Sequence, residues 1–143
     1  MSLALHDQIC FPLYAASRAI QQRYRPLLED LGLTYTQYLV MLVLWEQDGI
    51  RVSEVGDRLL LDSGTLTPLL RRLESAGWVR RVRSQADQRV VNVVLTDAGH
   101  HLREKASGVP EALVRCIGPV DGVDPAELKR QLERLITHLE AQP

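Results

Sequence analysis

The stretch from Asp62 to Arg89 constrains this chain more than any other. It opens with small hydroxyl side chains at Ser63, Thr65 and Thr67 among the apolar Leu66, Leu69, Leu70 and Leu73, a pattern that predicts a helix stopped by Gly77. Trp78 to Arg83 then reads as a strand, Ser84 to Gln88 as a turn, and Arg89 to Leu95 as the strand that pairs back. A helix followed by a basic hairpin is the layout of a winged helix-turn-helix: the helix enters a major groove and an arginine on the hairpin reaches phosphates or the minor groove. Pro68 leaves the start of the helix open. It disfavours helical geometry at Thr67 and removes a backbone donor, so the helix begins either near Thr67 or near Ser63 with a kink.

Charge supports this reading. From Ser63 to Arg89 six arginines (71, 72, 80, 81, 83 and 89) face two acids, a net +4, which leaves the rest of the chain at −5 although the total is only −1. Such polarity is the electrostatic footprint of a nucleic-acid partner, with Asp62, Ser63, Thr65, Thr67, Arg71, Arg72 and Arg89 as candidate DNA-binding residues and Arg80, Arg81 and Arg83 as phosphate contacts.

At 143 residues with 45% apolar side chains the chain is expected to form a single domain over residues 1–143, mostly α with a small β-hairpin wing. It shows no apolar run of about 18 residues and no secretory signal pattern, so no membrane partner and a cytoplasmic location are expected. Two cysteines 106 residues apart, with no Cys-x-x-Cys and only scattered histidines, exclude a zinc-finger pattern and give no reason to expect a metal or cofactor. A thiol peroxidase is disfavoured by the same absence and by the lack of a redox-enzyme βαβ pattern.

Residues 6 to 30 read as one long helix closed by Gly32, with Ile9, Leu13, Ala16, Ile20 and Leu27 at helical spacing. If Pro12 falls in its first turn, Cys10 lies at the helix N-terminus, a position that accommodates negative charge. Thr34 and Gln37 form a candidate capping box for a second, centrally buried helix, and Val52, Val55 and Leu59 give one face of a short third. After the hairpin, Thr96 caps a long helix interrupted or bent at Gly108 and Pro110. Asp124 and Pro125 open a last helix carrying Leu128, Leu132, Leu135, Ile136 and Leu139 on one stripe. Residues 34–96 are thus a DNA-binding lobe. Segments 1–33 and 97–143 carry more apolar helix than that lobe needs to cover it, which points to dimerisation helices and a homodimer.

These residues resemble the MarR family of winged-helix regulators. The match rests on Asp87-Gln88-Arg89, then a strand, then Leu95-Thr96-Asp97-Ala98-Gly99. The resemblance implies that Arg89 enters the minor groove and that Asp87 is held by an arginine of the recognition helix, Arg71 or Arg72. A closer similarity is to the organic-hydroperoxide-sensing, OhrR-like branch, carried by Cys10-Phe11-Pro12-Leu13-Tyr14, by Leu31 to Tyr38 and by Leu61 to Leu70. It implies that Cys10 is the peroxide-reactive thiol, that Tyr24 and Tyr35 hydrogen-bond it, and that Cys116 corresponds to the resolving thiol of two-cysteine members. The function so implied is a repressor that leaves a pseudo-palindromic double-stranded operator when an organic hydroperoxide oxidises Cys10. The alternative is a repressor of the same fold induced by a small aromatic or phenolic ligand. Helix geometry adds one condition: 14 residues at 1.5 Å per residue separate Cys10 from Tyr24 by about 21 Å, so any contact between them must come from the second subunit.

Overall fold

The computed structural model describes residues 2–142. A short 3-10 turn at Leu5–Asp7 precedes the first helix, α1, Cys10–Glu29. The expected helix from residue 6 therefore starts one turn later, and Pro12 supplies the reason. As the third residue of α1 its missing N–H belongs to the turn that has no intrahelical partner, whereas a start at His6 would put it where a donor is required. Gly32, at φ +67°, closes the segment in the left-handed region.

Helix α2, Tyr35–Glu46, begins with the expected capping box: Thr34 Oγ1 accepts from Gln37 N–H and the Gln37 side chain accepts from Thr34 N–H. It is the centre of the molecule, with Tyr38, Val40, Met41 and Leu44 almost wholly buried. Packed around it are α3, Val52–Leu59, and α4, Ser63–Ser75. The link between them turns at Leu60, whose φ of +54° lets Leu61 N–H reach the carbonyl of Gly56 at 2.9 Å. Leu66, Leu69, Leu70 and Leu73 form the buried stripe of α4.

Three strands make one antiparallel sheet in the order β1-β3-β2: β1, Ile50–Arg51; β2, Val79–Arg83; β3, Val91–Leu95. The register pairs Val79 with Leu95, Arg81 with Val93 and Arg83 with Val91, and Ile50 of β1 also opposes Val93. The hairpin is as expected. The third strand is an addition, since two residues with no alternation of their own carry no readable strand signal.

The expected long helix after the wing is two helices, α5, Asp97–Ala106, and α6, Val109–Ile117. The break falls at Ser107 and Gly108, and Pro110 is accommodated in the first turn of α6. Helix α7, Pro125–Glu140, is capped by Asp124, whose Oδ1 accepts from Ala126 N–H at 3.0 Å. None of its residues is buried, and Leu128, Leu135, Ile136 and Leu139 are exposed.

Candidate nucleic-acid interface and thiol sites

The start of α4 is settled by a cap. Asp62 Oδ1 accepts from Thr65 N–H at 2.7 Å, so α4 begins at Ser63 and runs through Pro68. The cap satisfies one of the unpaired donors of the first turn, and its carboxylate complements the positive end of the helix. Ser63 and Thr65 are exposed on the first turn, Thr67 is half-buried, and Arg71 and Arg72 are exposed further along. Among the described residues neither arginine forms an ion pair.

The wing tip is organised by its own backbone. Asp87 Oδ1 accepts from Arg89 N–H at 3.0 Å, Val90 N–H reaches the Asp87 carbonyl at 2.9 Å, and Arg83 Nη1 donates to the Gln88 carbonyl at 3.0 Å. These contacts fold the turn that presents Arg89. Asp87 thus serves the wing by closing its turn; it does not pair with Arg71 or Arg72, as the family resemblance implied. Arg89 shares a cleft of 360 Å³ with Thr67 of α4 and with Arg51 and Ser53 at the start of α3. Arg51 and Ser53 were not singled out from sequence, because β1, which brings them beside the wing, is not legible there.

Arg81, expected to serve phosphates, is engaged by Glu74. Its backbone N–H donates to Glu74 Oε1 at 3.1 Å, and its Nε and Nη2 donate to Oε2 at 3.0 and 2.7 Å. The backbone donation, then the guanidinium, holds the Glu74 carboxyl below the usual carboxylate range. Arg80 is exposed.

The two thiols are free and exposed. Cys10 is the first residue of α1 and Cys116 lies in the last turn of α6, which packs along α1. Tyr24 and Tyr35 come together, with ring centroids 4.8 Å apart, and Tyr24 also packs at a tilt against Tyr38 at 5.7 Å. Burial raises all three hydroxyls above the ordinary tyrosine range, with the neighbouring tyrosines adding to the rise at Tyr24 and Tyr38. They therefore stay protonated donors, the form that an anionic acceptor needs. Tyr14, one turn beyond Cys10, is engaged by Arg18, which donates to its hydroxyl at 2.9 Å. Cys10 and the tyrosine pair lie towards opposite ends of α1 in one protomer, as the helical rise requires.

Among the described residues no cluster of three or more histidine, cysteine or carboxylate side chains is placed to hold a metal ion, and no helix is long and apolar enough to cross a membrane.

Residues 22–106, from the second half of α1 to the end of α5, match the family described as transcriptional regulator SarA/Rot. The organic hydroperoxide resistance transcriptional regulator of Bacillus subtilis is 43% identical over 96% of this chain and 92% of its own length. The regulator TtmR of Methylorubrum extorquens is 48% identical over 92% of this chain, which spans 66% of that relative's length. Among solved structures, reduced AbfR bound to DNA is 39% identical with a TM-score of 0.77 and 96% coverage of both chains. Disulfide-formed AbfR is 41% identical with a TM-score of 0.68, covering 94% of this chain and 91% of that one. With a matching family model over more than half its length and a winged helix seen in its own fold, this chain belongs to the SarA/Rot transcriptional regulators, within the MarR group of winged-helix proteins.

Proposed function

We propose that the chain is a homodimeric repressor that binds a pseudo-palindromic DNA operator and releases it when an organic hydroperoxide oxidises Cys10. Residues 34–96 form the DNA-binding lobe. Asp62, Ser63, Thr65, Thr67, Arg71 and Arg72 face a major groove and Arg89 the adjoining minor groove, Asp87 supporting the wing that carries it. Segments 1–33 and 97–143 form the dimer, a reading supported by a 16-residue α7 none of whose residues is buried in one protomer.

The observation that carries the sensor reading is the placement of both thiols, exposed, on two helices that pack together. The Cys10 thiolate attacks a peroxidic oxygen: an S–O bond forms, the O–O bond breaks, and the alkoxide leaves as the alcohol after taking a proton. The Cys116 thiol then attacks the sulfenic sulfur, forming the S–S bond and releasing water. A disulfide demands Cα atoms within about 7 Å, so its closure draws the ends of α1 and α6 together and shifts the helices that space the two recognition helices. Tyr24 and Tyr35 of the second subunit supply hydroxyl donors to the Cys10 thiolate. The solved disulfide form of AbfR, a relative of similar size, supports a disulfide as one oxidised end product of this chemistry.

The test is operator release. A labelled duplex from the region upstream of the coding gene is followed by fluorescence anisotropy at fixed salt while cumene hydroperoxide is added. The parent dissociates, Cys10→Ser stays bound, and Cys116→Ser shows no disulfide-linked species on a non-reducing gel. Release of Cys10→Ser at the parental dose overturns the sensor.

A second reading is favoured by one feature, an apolar cleft of 640 Å³ lined by Ile20, Ile117, Val123, Leu128 and Ile136. Under it a small aromatic or phenolic ligand is the inducer, and salicylate then releases DNA from Cys10→Ser protein.

A further inference from the structure

The geometry points to Glu74 and Arg81 as a helix-to-wing strut, a pair of positioning residues that fixes the tilt of the hairpin relative to the recognition helix and thereby the distance between the groove-facing side chains of α4 and Arg89. This rests on the DNA-binding reading above but not on its redox part.

Strand periodicity carries the first step. In β2 alternate residues share a face, so Val79, Arg81 and Arg83 point the same way, and Val79 is 1% exposed against the core. Arg81 is therefore an arginine on the inward face. A cation there loses hydration and needs a carboxylate. Glu74, on the last turn of α4, is that carboxylate, and it takes both Nε and Nη2 of the guanidinium.

The second step is in the backbone. In the order β1-β3-β2, strand β2 is an edge. Thr96 N–H bonds the Trp78 carbonyl and Ser84 N–H bonds the Val90 carbonyl, so the even-numbered residues of the strand face β3 and the N–H of Arg81 faces outward. An edge donor is ordinarily left to water or to a foreign strand. Here Glu74 Oε1 accepts it, so one side chain of the helix grips both the main chain and the side chain of one wing residue. From that point the contacts continue outward: Arg83 holds the Gln88 carbonyl and Asp87 holds the Arg89 N–H. The tip is thus connected to α4 by an unbroken series of hydrogen bonds and strand pairs. The helix-to-wing tie that the family pattern assigns to Asp87 is made in this chain by Glu74.

The strut makes an unusual prediction, because Glu74 is an acid beside a surface that binds a polyanion. If charge alone mattered, removing it would tighten DNA binding on every sequence. If it positions the wing, removing it weakens binding to the preferred sequence while binding to random DNA stays the same or tightens. The experiment uses the full-length protein and two probes: the tightest duplex that the parent selects from a randomised library, and an unselected random duplex. Glu74→Gln, Arg81→Gln and the double variant are each titrated across a range of salt concentrations. The expected result is a loss of about 10- to 100-fold on the selected duplex for either single variant, the scale of a broken charge-assisted hydrogen bond. The double variant loses no more than the worse single, the slope against log salt is unchanged, and random-duplex affinity does not fall. The proposal is overturned if Glu74→Gln binds the selected duplex as tightly as the parent. It is equally overturned if Arg81→Gln flattens the salt slope by about one on both duplexes, the mark of a direct phosphate contact. A parent that selects no preferred sequence refutes the DNA-binding reading itself, which separates the two failures.

Discussion

The indole Nε1–H of Trp45 donates to the carbonyl oxygen of Gly99 at 2.9 Å, joining the central helix to the first turn of α5 across 54 residues of sequence. Gly99 is held from its other side as well. A Cβ at this position would lie 2.1 Å from the backbone oxygen of Trp78, and that oxygen already accepts from Thr96 N–H at 3.1 Å. The base of the wing and the start of α5 are therefore packed backbone against backbone, and the nearest atoms that would have to yield are main chain.

Gly99→Ala is expected to destabilise the protein by about 2 kcal/mol or more, despite the roughly 1 kcal/mol that alanine contributes over glycine inside a helix, because overpacking against main chain forces the wing base to move. Urea unfolding followed by circular dichroism checks this. An unchanged or raised midpoint contradicts the contact.

Asp62→Ala removes the acceptor for Thr65 N–H and is expected to lower stability by about 0.5–2 kcal/mol, whereas Asp62→Ser or Asp62→Asn, which keep an acceptor at the same place, stay close to the parent. Thermal melts of the three variants at one pH make the comparison. Equal melting of all three shows that α4 does not start where the cap places it.

The clustered tyrosines make stability depend on pH in the alkaline range. The folded-state pKa values of Tyr24, Tyr35 and Tyr38 lie above the ordinary value of 10.0, so between that value and the raised ones the folded chain holds more protons than the unfolded chain. The stability they contribute is complete below pH 10 and is lost as pH rises through the folded values. Urea midpoints measured from pH 8 to pH 11 are expected to be flat and then to fall, and the triple phenylalanine variant is expected to lose part of that fall. A variant with the parent's full alkaline slope refutes the assignment.

Most of the secondary structure was legible because its signals are local. The Thr34 capping box, the stop at Gly77, the Thr96 and Asp124 caps and the paired strands of the wing depend on side chains within a few residues of the backbone groups they satisfy. The candidate groove-facing residues were legible for the same reason, since a polar helix start followed by a basic hairpin is a contiguous pattern. The partner of Arg81 is not legible, because a sequence marks an arginine by its charge, and only strand alternation combined with the approach of α4 shows which face it lies on.

By itself, then, the chain's order of residues determined which segments are helices, where most of them are capped, and that positive charge gathers on a helix and hairpin. Tertiary structure alone added β1 and with it Arg51 beside the wing, and joined Glu74 to Arg81, Trp45 to Gly99 and Tyr24 to Tyr35. The physical reason is range. Caps and turns are satisfied within one or two turns of chain, while the partner of a half-buried charge or a buried indole is chosen by whichever element packs against it.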